Sequence, residues 1–402
     1  GPSGGGAGAD QGSVNVLGIW GGSELDSFNA MVAGWNGKVN FTGSREITSL
    51  LSTRVEGGNP PDVALPAEIG LFQRFAREGK LTPLSKCQGL EDQLKANYPQ
   101  SFLDLGTIDG TLYGFFMKAD SKATIWYNPK FFQSKGYKPL TADSKFDDLV
   151  ALAEQIKKDG LAPFSMGIEA GAGSGFPASD VIQQIVLNDS GEKTYDAIVN
   201  GSTPFTDKAM SDAWEKYAKL ALTQGYTAQG GAAGINATNF QDATYAPFQN
   251  PPRAAMVLLG GFGAGFIKTQ FPNLKAGEDY DFMPWPGGGV TGGANIAYAF
   301  NGNPATCSFL SYLAGADAQS VWVKRGSFTS LNKKVDLNAY PDPVSKKLAE
   351  QLENTKTFRF DLDDAIGGAA QQAEFKGLVQ YLQQPAQLQT ILQGIQAVRK
   401  PN

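Results

Sequence analysis

Residues 14–24 read VNVLGIWGGSE, an apolar run that stops at two glycines and is followed by a charged residue. The part from Val14 to Trp20 alternates loosely and is partly β-branched or aromatic, which predicts a buried strand. A helix is predicted next, because apolar residues recur on one helical face: Leu25, Phe28, Met31, Val32 and Trp35. Strand, turn and helix in this order form the repeating unit of a parallel α/β sheet.

The same order continues along the chain. Residues 38–41 predict a second strand and residues 62–65 a third, each followed by a helix, the latter opened by Glu68. Later patterns predict helices over 145–158 and 212–222, a strand over 254–259 and helices at the C-terminus. A chain of 402 residues exceeds the roughly 250–300 residues at which single cores stop growing. We therefore predict two α/β lobes.

Composition excludes several classes of function. The net charge is −5 and the basic residues are scattered, so the chain offers no basic field for nucleic acid or an anionic membrane. The absence of His removes the Ser-His and Cys-His nucleophile pairs and the His-based metal sites. No run approaches the roughly 20 apolar residues that span a bilayer. We predict a soluble chain with no cofactor, no metal and no nucleic-acid partner.

The cysteines and the N-terminus each leave two alternatives. Cys87 and Cys307 predict a disulfide if the chain is exported, and two buried thiols if it is cytosolic. Residues 1–12 are rich in Gly, with Ala, Ser and one Asp, which predicts a flexible tether or a cloning remnant. A lipoprotein trimmed of its signal peptide and lipidated Cys would begin in the same way.

Several longer stretches carry more than composition. They read LGIWGGSE (17–24), TGSRE (42–46), GGNPPDV (57–63), YGFFMK (113–118), WYNPK (126–130), GIEAGAGSGFP (167–177), PFTD (204–207), TGGA (291–294) and RFD (359–361). Together and in this order they resemble the carbohydrate-binding proteins of ABC importers, and within them the α-glucoside-binding subgroup. The resemblance covers nearly everything after residue 12.

This resemblance implies a fold. It implies the two-lobed, type II periplasmic-binding-protein-like fold, similar to maltose-binding protein, in which each lobe is a mainly parallel sheet flanked by helices. Hinge crossovers join the lobes, and the ligand is held in the cleft between them. On this basis the N-terminal lobe comprises residues 13–128 plus 287–327, and the C-terminal lobe residues 129–286 plus 328–402. The resemblance also places both cysteines in the first lobe, where a bridge would stabilise by roughly 2–4 kcal/mol.

The predicted ligand-binding residues combine flat rings with charged or amide groups, because a pyranose has an apolar C–H face and a ring of hydroxyls. They are Trp20, Glu24, Arg45, Glu68, Lys118, Asp120, Glu169, Ser174, Phe176, Phe262, Gly293, Asn295 and Asp363. Trp20 and Phe262 each lie where a strand gives way to glycines, the edge at which open α/β sheets bind ligands. Plainer alternatives exist: Trp20 as a core residue, Glu24 and Glu68 as helix-start carboxylates, and Asp363 as part of a helix cap.

Three of these positions depart from the family pattern. An acidic residue is common in relatives at Asn295, and Trp is about as frequent as Phe at Phe176 and Phe262. These departures leave the identity of the sugar open, and they do not change the class of protein that the resemblance implies.

The resulting prediction is the substrate-binding component of an ABC importer, not an enzyme. It captures a sugar, an α-linked di- or oligosaccharide, and delivers it to the transporter's membrane subunits, and its hinge closes on the ligand. We expect an extracytoplasmic monomer, periplasmic or a cell-surface lipoprotein, with its signal peptide removed. The alternatives are a glycoside hydrolase or other sugar-acting enzyme with paired carboxylates, which needs no His, and an adhesive or scaffold module.

Overall fold

A computed structural model of the protein describes residues 9–400. The chain forms two compact units, each assembled from separate segments. Within the described residues, unit 1 comprises residues 9–119, 293–341 and 345–354, and unit 2 comprises residues 120–292, 342–344 and 355–400. Most of the tether predicted over residues 1–12 lies outside the described residues. Its last part is tied down, since the Gln11 backbone N–H donates to the Asn36 carbonyl at 2.7 Å.

Unit 1 contains the strand–helix alternation with which the chain begins. Its elements are β1 (Ser13–Gly18), α1 (Gly22–Val32), β2 (Lys38–Gly43), α2 (Ile47–Glu56), β3 (Val63–Ala64), α3 (Ile69–Arg77), α4 (Leu90–Asn97), α5 (Gln100–Leu105), β4 (Thr107–Ile108), β5 (Thr111–Leu112), β6 (Gly114–Ser121), β11 (Val290–Ala299), α13 (Pro304–Ala314), α14 (Ala316–Arg325) and α15 (Pro343–Asn354). Strands β6 and β11 continue into unit 2, and the first two residues of α15 belong to unit 2.

The sheet of unit 1 is parallel at its centre, as predicted. Strand β1 lies between β2 and β3 and is parallel to both, while β11 runs antiparallel to β3 on the other side. Helix α1 packs with Phe28, Met31 and Val32 buried, which are the residues that the helical spacing selects. Parallel neighbours need a crossover, and α1 and α2 supply the two that this sheet requires.

The segment that returns to unit 1 extends further than predicted. Residues 328–341 were assigned to the C-terminal lobe, but the structure groups them, with residues 345–354, in unit 1. Hydrogen bonds explain the difference. The Asn332 side chain donates to the Ala314 carbonyl at 2.9 Å, and the Ser330 hydroxyl donates to the side-chain oxygen of Gln319 on α14. These polar groups are buried and therefore need partners within the unit.

A disulfide joins Cys87 to Cys307, with a Cα–Cα distance of 5.1 Å. Both cysteines lie in unit 1, as the family resemblance implies. The bridge connects the segment before α4 to helix α13, 220 residues later in the chain. It therefore ties the returning segment to the part of unit 1 that is synthesised first.

Unit 2 has a smaller sheet and more helix. Its elements are β7 (Thr124–Tyr127), α6 (Pro129–Lys135), α7 (Phe146–Lys158), β8 (Phe164–Ser165), α8 (Phe176–Asn200), α9 (Lys208–Leu222), α10 (Ala232–Ala237), α11 (Phe240–Ala243), β9 (Met256–Leu258), α12 (Gly263–Gln270), β10 (Asp281–Pro284), β12 (Phe358–Phe360), α16 (Leu362–Ile366), α17 (Gly368–Gln383) and α18 (Leu388–Val398). Among the helices of residues 9–400, none combines the length and the apolarity that crossing a membrane requires.

The sheet of unit 2 is mixed, which corrects one detail of the predicted fold. Its strand order is β10-β7-β9-β8, and only β8 and β9 are parallel, whereas β7 runs antiparallel to both β10 and β9. Only two residues separate the end of β6 from the start of β7, so no crossover helix lies between them. The start of β11 also pairs with β12, in parallel. The description of mainly parallel strands therefore holds for unit 1 only.

Candidate functional site

The three parallel strands of unit 1 bring distant residues to one edge of its sheet. Strands β1, β2 and β3 end at Gly18, Gly43 and Ala64. Trp20, Arg45 and Glu68 follow these ends directly, and the Ser44 backbone N–H donates to the Gly18 carbonyl at 3.0 Å. This is the edge at which open α/β sheets bind ligands. Arg45 is exposed there, and Glu68 precedes α3 at its N-cap position.

Trp20 is in the core rather than on this edge. The side chain is 2% exposed, and its ring centroid lies 5.1 Å from that of Phe28, 6.2 Å from Phe41 and 5.1 Å from Trp322. Rings from α1, β2 and α14 thus surround it. The prediction that Trp20 stacks on a ligand is corrected accordingly, because its faces are already covered by aromatic side chains of unit 1.

Besides Arg45, three further charged residues lie at the edge of unit 1, namely Glu24, Lys118 and Glu68. The Lys118 ammonium lies 3.8 Å from a carboxylate oxygen of Glu24 and 5.9 Å from the centroid of the Trp322 ring. Glu24 is exposed, while Lys118 is mostly covered. Partial burial raises the pKa of Glu68 above its usual value. Together they offer hydrogen-bond donors and acceptors of both charges to a polar ligand.

Strand β11, which runs antiparallel to β3, also contributes residues to this edge. Asn295 is buried and donates from its side-chain nitrogen to the Leu65 carbonyl at 3.1 Å, just beyond the end of β3. Gly293 is the first residue of unit 1 on this strand and is half-buried. The Asn295 amide therefore fixes the strand ends, and its role as a direct ligand contact stays a prediction.

Unit 2 presents a patch of four phenylalanine rings, here called the ring patch: Phe176, Phe240, Phe262 and Phe266. Phe262 is 39% exposed, one of three large apolar side chains of residues 9–400 that are exposed. Its ring centroid lies 6.4 Å from Phe176, 6.4 Å from Phe240 and 5.9 Å from Phe266. The other three rings are half-buried. An apolar surface of flat rings is suited to the C–H face of a pyranose.

A carboxylate and an amide lie beside the ring patch. Glu169 accepts a hydrogen bond from the Asn239 side-chain nitrogen at 3.2 Å and from the Gly171 backbone N–H at 2.6 Å. These two bonds lower the pKa of Glu169 below its usual value. The carboxylate is therefore held ionised and oriented next to Phe240, which follows Asn239 in the chain.

The glycine-rich loop before α8 shapes this surface. The Ser174 hydroxyl donates to the Gly171 carbonyl at 2.7 Å and accepts from the Ala170 backbone N–H at 3.0 Å, so it closes the loop. Gly175 has φ +105°, and a Cβ there would lie 2.4 Å from the Phe375 carbonyl oxygen. Only Gly fits this position, and it sets the direction in which Phe176 enters the helix.

Phe240 and Asn239 were missed from the sequence. They lie about 70 residues after Glu169, in a short segment that pairs with it at a single bridge between Glu169 and Asn239. Asn239 caps α11 by accepting from the Gln241 backbone N–H at 2.9 Å. Asn239 before Phe240 could have been predicted as a helix N-cap from its residue type. Nothing in the neighbouring sequence indicated that it contacts Glu169.

Asp363 lies in a buried network and not on an open surface. The side chain is 2% exposed and accepts a hydrogen bond from the Ser179 hydroxyl, whose oxygen lies 2.5 Å from a carboxylate oxygen of Glu374. One hydroxyl hydrogen cannot serve two carboxylates, so one of the two carboxyl groups must carry a proton. Burial raises the pKa of Glu374 to about 8 and that of Asp363 well above its usual value. The prediction of Asp363 as a ligand contact is corrected.

Lys122 completes this network, here called the buried charge cluster, whose carboxyl groups are those of Asp180, Asp361, Asp363 and Glu374. Its ammonium lies 2.9 Å from Asp180 and also contacts Asp361. Burial alone would lower the pKa of Lys122, but these two carboxylates outweigh it and raise the pKa. The same ammonium holds the pKa of Asp361 below its usual range despite burial.

Two further predictions concern this part of unit 2: that the chain binds no metal, and that Asp120 contacts the ligand. Ligand oxygens of Asp180, Asp361 and Asp363 lie within 4.8 Å of one another, a grouping that could hold a metal ion. The Lys122 ammonium already contacts two of the three and supplies positive charge at that place. Asp120 lies outside the cluster and is exposed, and its carbonyl oxygen packs against Gly292, where a Cβ would come within 2.0 Å.

Comparisons with known proteins identify the family. The sequence matches the bacterial extracellular solute-binding protein family over residues 25–351. It is 32% identical over 377 residues to the alpha-glucosides-binding periplasmic protein AglE of Rhizobium meliloti (strain 1021), covering 89% of this chain and 80% of AglE. It is 30% identical over 384 residues to the osmoprotective compounds-binding protein GgtB of Synechocystis sp., covering 93% of this chain and 89% of GgtB.

The solved structures agree on the fold. The bacterial solute receptor AcbH, described as having an exclusive substrate preference for β-D-galactopyranose, superposes with a TM-score of 0.82 and covers 96% of both chains at 20% identity. That similarity confirms the two-lobed α/β solute-binding fold predicted from the sequence. By its sequence, this chain belongs to the bacterial extracellular solute-binding protein family.

Proposed function

We propose that this protein is the substrate-binding component of an ABC sugar importer and that its ligand is an α-linked di- or oligosaccharide. The observation that carries the proposal is the ring patch of unit 2, where the exposed ring of Phe262 lies in contact with three other rings and beside the Glu169–Asn239 pair. The names of the relatives support the sugar class, since AglE is named for binding alpha-glucosides.

The ring patch and Glu169 together could contact both the apolar face and the hydroxyls of a sugar. The ring of Phe262 would pack on the C–H face, and the Glu169 carboxylate would accept hydrogen bonds from hydroxyls. In unit 1, the exposed carboxylate of Glu24, the guanidinium of Arg45 and the ammonium of Lys118 offer further polar contacts. Because a Phe ring is smaller than the indole of Trp, we expect modest stacking energy and greater reliance on charged groups such as Glu169.

Isothermal titration calorimetry with maltose, trehalose, sucrose, longer maltodextrins and monosaccharides tests the proposal. We expect at least one α-linked disaccharide to bind, and Phe262→Ala to weaken its binding by at least about tenfold, as loss of a central aromatic contact does. Val321→Ala is the matched control, because Val321 is the exposed apolar residue of α14 in unit 1. Binding by no member of the panel, or equal effects of the two substitutions, would contradict the proposal.

We also propose that the protein has no glycosidase activity. The family and the relatives are binding proteins. A glycosidase needs two carboxyl groups that flank the bond to be cleaved, whereas the Asp363 and Glu374 pair is buried and shares the Ser179 hydroxyl. Prolonged incubation with nitrophenyl α- and β-glycosides should release no nitrophenol. Turnover that survives purification would refute this part of the proposal.

Location and partners belong to the same proposal. We propose an extracytoplasmic protein that delivers its sugar to transporter membrane subunits and is a monomer in solution. The disulfide between Cys87 and Cys307 supports an oxidising compartment, and AglE is named as periplasmic. A cleaved signal peptide and a lipid anchor stay predictions. Light scattering of the purified protein measures the oligomeric state, and an apparent mass of two chains would contradict the monomer.

A further inference from the structure

Lys122 lies in the short connection between β6 and β7 in unit 2. The ammonium and the methylene part of its side chain contact different segments of the unit. The ammonium end is in the buried charge cluster, 2.9 Å from Asp180 and in contact with Asp361. The side chain is 15% exposed. A buried ammonium is costly unless it is paired, so its geometry is tightly determined by those two carboxylates.

The methylene end of Lys122 touches the turn that carries Phe262. A Cβ built at Gly260 would lie 3.3 Å from the Lys122 Cγ and 2.8 Å from the Phe262 Cε1. Both side chains therefore lie close to the space that a side chain at Gly260 would occupy. The Gly261 backbone N–H also donates to the Ser121 carbonyl at 2.8 Å, which fastens the turn to the residue preceding Lys122.

The ammonium end reaches the segment that carries Phe176. Asp180 and Phe176 are four residues apart on α8 and so share one face of the helix. Ser179, between them in the same turns, is held by Asp363 and Glu374. The start of α8 is thus fixed by the buried charge cluster at two successive residues.

We propose that Lys122 is a positioning residue for ligand binding: it spans from the Gly260 turn to Asp180 and thereby sets the spacing of the Phe262 and Phe176 rings. The two centroids are 6.4 Å apart. The Lys122 ammonium is taken up by Asp180 and Asp361, so in this proposal the residue acts on a ligand only through the rings. The inference rests on the proposed function, in which these rings carry a sugar.

A double-mutant cycle on binding tests the proposal, with trehalose, maltose and sucrose as the probes. Lys122→Met removes the charge and keeps the length of the side chain, and we expect at least about a tenfold weaker affinity for the sugar that the parent protein binds best. Lys122→Arg, which retains the charge, should recover affinity to within about threefold of the parent. Lys122→Met combined with Phe262→Ala should bind no more than about threefold more weakly than Phe262→Ala alone, because both changes act on one contact.

Lys130→Met is the matched control, since the Lys130 ammonium also pairs with a carboxylate of unit 2, that of Asp279 at 2.9 Å, but on the exposed surface. It should leave the affinity unchanged. If Lys122→Met does not fold, Asp180→Asn takes its place in the cycle, because it removes the same ion pair at constant size. Unchanged affinity, losses that multiply in the double variant, or failure of arginine to rescue would each overturn the proposal.

A measurement without ligand separates this proposal from the proposed function. 4-Fluorophenylalanine placed at position 262 reports the surroundings of that ring by fluorine NMR. We expect Lys122→Met to shift and broaden the resonance, and Lys130→Met to leave it unchanged. An unaltered resonance would overturn the positioning role. If the resonance shifts but no sugar of the calorimetry panel binds the parent protein, the sugar-binding function fails and the positioning of the ring stands.

Discussion

Replacing Trp20 with alanine is expected to destabilise unit 1 and not to remove a ligand contact. The ring is 2% exposed and packs against Phe28, Phe41 and Trp322, so the substitution leaves a cavity that aromatic neighbours from three elements cannot fill. Buried Trp-to-Ala changes cost about 3–5 kcal/mol. For a unit of this size, each kcal/mol lowers the melting temperature by roughly 2–4 °C. The expected decrease is therefore about 6–20 °C.

The assay pairs thermal unfolding with sugar titration, and Phe262→Ala provides the contrast. Phe262 is 39% exposed, so its truncation should lower the melting temperature by no more than a few degrees while weakening sugar binding. Trp20→Ala should show the opposite pattern, with affinity retained at temperatures where the variant is folded. A loss of affinity of about tenfold or more in Trp20→Ala, with an unchanged melting temperature, would refute the core assignment and restore Trp20 as a ligand contact.

Three further predictions concern the bridge, the buried charge cluster and the polar side of the ring patch. Cys87→Ser combined with Cys307→Ser should lower the free energy of unfolding by roughly 2–4 kcal/mol, measured by denaturant titration, and adding reductant to the parent should give the same decrease. Burial raises the pKa of Glu374 from its usual 4.5 to about 8, so between these values the folded state holds a proton that the unfolded state releases. The free energy of unfolding should therefore fall as pH rises from about 4.5 to about 8. Glu374→Gln should flatten that slope in thermal melts, and an unchanged slope would contradict the raised pKa of Glu374. Glu169→Gln keeps the size of the side chain but loses its charge, so it should weaken sugar binding several-fold in calorimetry without altering the melting temperature, and equal binding would remove Glu169 from the site.

The sequence predicted correctly those features that depend on residues close together in the chain. Strands that end at Gly18, Gly43 and Ala64 could be located from alternation and glycines, and parallel pairing then placed Arg45 and Glu68 at one edge. The helix that follows begins at Gly22, with Gly21 at its N-cap position, so the glycines end the strand as predicted. Phe262 was likewise selected from its place between a strand and glycines, and its ring is exposed in unit 2, while its role as a ligand contact stays a prediction.

The failures share one cause, which is contact between residues far apart in the chain. Trp20 is covered by Trp322, and Asp363 is covered because Ser179 and Glu374 reach it from α8 and α17. No spacing rule reports such partners, since each lies on its own helix with an ordinary pattern. For the same reason the sequence alone favoured a ligand contact at Asp363 and gave no sign that Lys122 is buried.

The path of β6 and β11, which each run from one unit into the other, has a consequence for synthesis. Strand β3 pairs with β11 at Tyr298 and Ala299, more than 200 residues after Ala64 emerges from the ribosome. At typical translation rates of about 5–20 residues per second, that partner is roughly 10–50 s away. Until then one side of β3 is an open strand edge, a ready template for pairing with other chains. The time for which nascent copies stay vulnerable to co-aggregation is therefore set by the order of segments along the gene product, and a stabilising substitution elsewhere would not shorten it.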